Sequence, residues 1–176
     1  AWTTAWLKID PRLADVDLSS YFFLSRDRIA DGGGSGRLSP GLQVLLANLE
    51  SDANVVREPA VDEAQGLGVD DQLVLIDAAS VRLRALTDKH PLMKSIIEIA
   101  SGRAALTSVA MAALGAVAYS EVPVDIPLVI ASRFVDDPNP DVVALLSAWE
   151  KQSVSGALSK FALKARQSIE AKRGNV

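Results

Sequence analysis

The chain contains no cysteine, one histidine and nine aromatic residues among its 176. Without cysteine there are no disulfides and no thiolate-bound zinc, a composition that suits a reducing cytoplasm. With His90 as the lone histidine, a multi-histidine metal centre is excluded. Long apolar runs are also missing. The most apolar stretch, "AALTSVAMAALGAVA" at 104–118, falls short of the ~20 residues that cross a bilayer and reads as a buried helix, so no membrane partner is expected. A secretory leader is not apparent either: "AWTTAWLKID" has neither a basic start nor a cleavage pattern. That opening, Ala1-Trp2 in mid-pattern rather than a methionine, reads as either processing or, more readily, excision from a longer protein.

What is present is the composition of a folded domain. Hydrophobic residues make up 49% and charged residues 23%, enough to bury a sizeable core, and residues 1–176 are expected to form one domain. The net charge of −4 is unevenly spread. Residues 151–176 carry six basic side chains, among them Lys160, Lys164, Arg166, Lys172 and Arg173, against the single acid Glu170. The rest of the chain is therefore strongly acidic. An acidic body repels nucleic acid, while the basic end attracts it.

The periodicity is helical nearly throughout. Leu42, Leu45, Leu46 and Leu49 share one face, with Ser39 placed as N-cap and Pro40 as first helical residue. Leu73, Ile76, Ala79, Leu83 and Leu86 form a second stripe, on a helix opened by Asp70 and Asp71. Pro91 starts a third, with Leu92, Met93, Ile96, Ile97 and Ala100 inward. A fourth carries Leu106, Val109, Ala110, Ala113, Leu114 and Val117, and its alanines imply close contact and a central position. Asn139-Pro140-Asp141 is a helix start feeding Val142, Leu145, Leu146 and Trp149. A last helix uses Val154, Leu158, Phe161, Ala165 and Ile169. Only "VPVDIPLVI" at 122–130 has strand character, and its two prolines oppose a central strand. The fold class is all-α. Short helices broken by prolines suggest armadillo- or HEAT-like packing, although no measurable repeat period emerges. "DGGGSGR" at 31–37 is expected to be a flexible loop, native or an engineered linker.

No chemistry-bearing motif is complete. A phosphate loop needs a lysine and a hydroxyl after its last glycine, whereas Arg37-Leu38 follow here. "LVLID" at 73–77 resembles the apolar run before a magnesium-positioning aspartate, but Asp77 falls on the outer side of a helix. His90, before a proline, reads as an exposed turn residue. The acid pairs Asp15/Asp17, Asp62/Glu63, Asp70/Asp71 and Asp136/Asp137 lack calcium-loop spacing, and two of them sit where helix starts favour acids. No catalytic residue, metal ligand or cofactor is expected. The cations Lys160, Lys164, Arg166, Lys172 and Arg173 are candidate contacts for an anionic partner, with a solvated helix face as the plainer reading.

Five of the nine aromatics precede residue 24: Trp2, Trp6, Tyr21, Phe22 and Phe23. They read either as one corner of the core or as a docking surface for a protein partner or for the remainder of a parent chain. "WLKIDPRLADVDLSSYFFLSRDRI", followed by "LSPGLQVLLANL" and later by "VIASRFVDDPNPDVVALLSAWE", resembles a stretch beyond the nucleotide-binding core of bacterial KAP-type P-loop ATPases. The Walker residues of that family have no counterpart here, so no catalytic residue is carried over. The resemblance implies a helical, non-catalytic interaction portion of such an ATPase. Some members of the family act in antiphage defence. A nucleic-acid-binding module using the basic C-terminal helix is the alternative.

Overall fold

Eight α-helices account for nearly all of the structure, a computed structural model that describes residues 38–152 and 156–174, all but Leu38 of them in the compact unit Ser39–Val176. In chain order they are α1 (Pro40–Leu49), α2 (Asn54–Gln65), α3 (Val69–Ala85), α4 (His90–Ala100), α5 (Ala104–Gly115), α6 (Ile126–Phe134), α7 (Pro140–Gln152) and α8 (Ala157–Gly174). A 3₁₀ turn, Tyr119–Glu121, precedes α6. The described residues contain no strand, as the periodicity requires. Trp2, Trp6, Tyr21, Phe22 and Phe23, the glycine-rich loop, Asp15/Asp17 and Val154 lie outside the described residues.

Helix starts follow local chemistry. The Ser39 hydroxyl accepts from the Leu42 amide at 3.3 Å, with Pro40 entering the first turn. The Asn139 carboxamide oxygen accepts from the Asp141 amide at 2.9 Å, and Asp141 stands in the first turn of α7, where the dipole favours it. Of the strand-like segment 122–130, the part from Ile126 onward forms the start of α6, with Pro127 in its first turn.

Each helix packs on the helix two places further along. The contacts α1–α3, α3–α5 and α5–α7 build one layer, and α2–α4, α4–α6 and α6–α8 build the other. Pairs α1–α2, α3–α4, α4–α5 and α7–α8 join the layers. Helices at odd and even positions thus fall into two packed layers. The core runs along the seam, where Leu49, Leu75, Ile76, Leu92, Ile96, Leu106, Leu114 and Phe134 are completely or almost completely buried. Helices approach closely where residues are small: a β-carbon at Gly115 would come within 3.2 Å of Leu145 Cδ1, from α5 to α7.

Three details depart from the sequence reading. The inward face of α3 is turned: Gln72 and Leu75 are buried beside Ile76, Ala79 and Leu83, whereas Leu73 is half-buried and Leu86 lies just past the helix, half-buried too. Second, α2 has no apolar stripe of helical strength and contains Pro59, and the sequence did not announce it. It exists because Arg57, Ala60, Val61 and Ala64 seal its inner side, while Val55 and Pro59 stay in solvent. Third, His90 is the first helical residue of α4 rather than an extended turn residue. The usual steric bias before proline is offset by two anchors, its amide on Asp88 Oδ1 and its ring on Asp125.

Candidate functional site

The structure separates the candidate cations into two groups. Arg166 on α8 spans to α7, donating through Nε to Glu150 Oε2 at 2.7 Å and through Nη2 to Glu150 Oε1 at 3.2 Å. Its Nη1 holds Glu170 one turn on, at 2.8 Å. The hydrogen bonds from Arg166 hold the Glu150 carboxyl below its ordinary range, and Glu150 and Glu170 in turn raise the guanidinium further. Lys172 pairs with Asp136 at 3.1 Å, and Arg173 donates to the Asp137 carbonyl. These three tie α8 to the α6–α7 region. Lys160 and Lys164 are exposed and make no ion pair with an acid among the described residues. Of the five candidate cations, two are therefore solvated lysines and three are engaged within the fold.

The acid pairs also divide. Asp62 and Glu63 are exposed on α2, and Asp70 and Asp71 open α3. Asp137 braces the α6–α7 loop: Oδ2 accepts from Thr107 Oγ1 at 2.6 Å and Oδ1 from the Asn139 amide at 2.9 Å. Asp77 is half-buried on α3. Among the described residues no three acids or histidines converge as a metal site.

A second polar cluster was invisible in the sequence because its members lie far apart in it. Arg57, 2% exposed, reaches from α2 to Ser95 Oγ at 3.3 Å and Glu98 Oε2 at 2.7 Å on α4. Glu98 is approached from α6 by Arg133 at 3.6 Å. Buried Gln72 donates to the carbonyl of Ala64, while Arg103 from the start of α5 reaches Gln72 Oε1 at 3.0 Å. Every group in this cluster is engaged within the fold, so it locks the stack rather than meeting a ligand.

Elsewhere, a cavity of about 170 Å³ opens between the end of α3, the end of α5 and the 3₁₀ turn. Ser80, Leu83 and Arg84 come from α3, Ala113 from α5, Ala116, Val117 and Ala118 from just after it, and Glu121 from the turn. Lys89, immediately before α4, completes the lining, with a side chain only 5% exposed. Its ammonium donates to the Leu86 carbonyl and stands 3.9 Å from Glu121. The next residue, His90, holds Asp125 at 2.8 Å, so Lys89 and His90 together clip the segment before α6 to the start of α4. The sequence "TDKHP" marks a helix start, yet nothing in it shows that Lys89 turns inward.

Comparison with family models, with curated proteins and with solved structures finds no match to this chain. Among the described residues no helix is long and apolar enough to cross a membrane.

Proposed function

We propose that the helical unit is a non-catalytic protein-interaction module, the accessory portion of a bacterial KAP-type ATPase working in the cytoplasm, in the setting of antiphage defence. The observation that carries the interaction reading is a set of valines left in solvent on one layer of the stack. Val74 and Val81 lie seven residues apart on α3, two turns along one face, and Val81 is 61% exposed. Val44 on the adjacent α1 is 63% exposed. Stacked helices present extended surfaces of this kind to partners. The His90–Asp125 pair makes no hydrogen bond to a hydroxyl among the described residues, which fits a stapling role better than activation of a nucleophile.

The partner expected from the resemblance is the nucleotide-binding core of a KAP-type ATPase. Calorimetric titration of the chain with such a purified core should show saturable binding, weakened at least tenfold in Val44→Lys/Val81→Lys with the fold unchanged. Absence of binding, or binding indifferent to both substitutions, refutes the assignment of this face. The chain alone should show no affinity for Mg-ATP, and micromolar binding lost on Asp77→Asn would overturn the non-catalytic reading.

A further inference from the structure

The cavity beside Lys89 has the composition of a binding site for one negative charge on a short apolar stem. Burying an ammonium is costly unless its charge and its three donors are met. Lys89 gives one donor to Leu86, and its nearest carboxylate, Glu121, is 3.9 Å away and itself 55% exposed. Two further donors line the same space. Arg84 and the Ser80 hydroxyl make no hydrogen bond or ion pair with any described residue. The remaining walls, Leu83, Ala113 and Val117 foremost, are apolar.

Charge and volume narrow the ligand. Two cations against one acid leave a single positive charge to be met, so a dianion would be opposed by Glu121 at the rim. About 170 Å³ is well above what one water needs and well below an ordinary drug-sized pocket, so a ligand of only a few carbons fits. We propose that this cavity binds a short-chain carboxylate, its head on Lys89, Arg84 and Ser80 and its stem on Leu83, Ala113 and Val117. The carboxylate comes either from a free small acid or from the C-terminus of a partner peptide. Carboxylate binding here does not require that the valines meet a partner.

The test is an amide-resolved NMR titration of the whole chain with sodium butyrate, at ionic strength matched by sodium chloride. The amides of Ser80, Ala113 and Val117 should shift saturably in the millimolar range or below, and chloride alone should not move them. Arg84→Gln, an exposed substitution, should weaken binding about tenfold, the loss expected for one charge-assisted hydrogen bond. Ala116→Leu should block the cavity mouth and abolish binding, with the helical signal retained. A tripeptide ending in a free alanine carboxylate and its C-terminal amide distinguish the sources. Tenfold tighter binding of the free peptide than of butyrate, lost in the amide, assigns a peptide terminus, whereas equal or better binding of butyrate assigns a free acid. Shifts that fail to saturate with both probes, that chloride reproduces, or that persist unchanged in Arg84→Gln overturn the site.

Discussion

Removing Glu98 should harm this fold more than removing Arg57, although the two share one ion pair. The pair joins α2 to α4 at 2.7 Å, with side-chain exposures of 3% for Arg57 and 13% for Glu98. In Glu98→Ala the buried guanidinium keeps only Ser95, whose hydroxyl also donates to the Leu49 and Pro91 carbonyls at 2.8 and 2.9 Å. An uncompensated buried charge costs about 3–5 kcal/mol. In Arg57→Met the stem is largely preserved, and Glu98 still has Arg133 at 3.6 Å and better access to water. The loss there should be about 1–2 kcal/mol, a lost charge-assisted hydrogen bond less what the retained stem recovers. The double variant Arg57→Met/Glu98→Ala leaves no charge stranded. It should therefore be more stable than Glu98→Ala alone, with a coupling energy of about 2 kcal/mol. Urea denaturation followed by circular dichroism gives all four stabilities, provided the slopes agree. If Arg57→Met costs as much as Glu98→Ala, or if the double loss is the sum of the single ones, the buried-charge argument fails.

Trp149, 4% exposed on the inner face of α7, should cost about 3–5 kcal/mol when truncated to alanine, and an unchanged urea midpoint would show that the α7 register is misread. The Arg166–Glu150 contact should be pH-dependent. Its hydrogen bonds lower the Glu150 carboxyl below the ordinary 4.5, so its stabilisation is present above that value and fades as acidification protonates the folded carboxylate. Wild type and Glu150→Gln should therefore differ in thermal midpoint at pH 7, with the difference shrinking as the pH falls below 4.5, and a difference that stays constant or grows on acidification refutes this assignment. Replacing Lys160, Lys164, Arg166, Lys172 and Arg173 with glutamine tests the nucleic-acid alternative. With three of the five engaged within the fold, duplex and single-stranded probes should bind wild type weakly, and tight binding with a log–log salt slope of about −0.9 per phosphate contact, lost in the variant, would restore that alternative.

The local signals were legible because their physics is local. Ser39-Pro40 and Asn139-Pro140-Asp141 satisfy the first amides of α1 and α7 from within a few residues, so the sequence alone places those helix starts. The stripes in α1, α4 and α7 likewise name most of their buried residues, since an apolar side at helical spacing has only one way to leave water. Helix α2 was hidden because nothing local sustains it. Pro59 deprives the Val55 carbonyl of its partner, and this is tolerable because Val55 is 85% exposed and water can reach that turn. Its burial comes from α1 and α4, which the sequence around it does not mention. The same holds for polar groups. Arg57 meets Glu98 across 41 residues, and Lys89 closes a cavity built largely from α3, α5 and the 3₁₀ turn. A charged residue reads as solvated until the fold supplies the partner or the space that makes its burial tolerable. That choice is made by stacking of the layers, because desolvation and pairing depend on distances in space rather than along the chain.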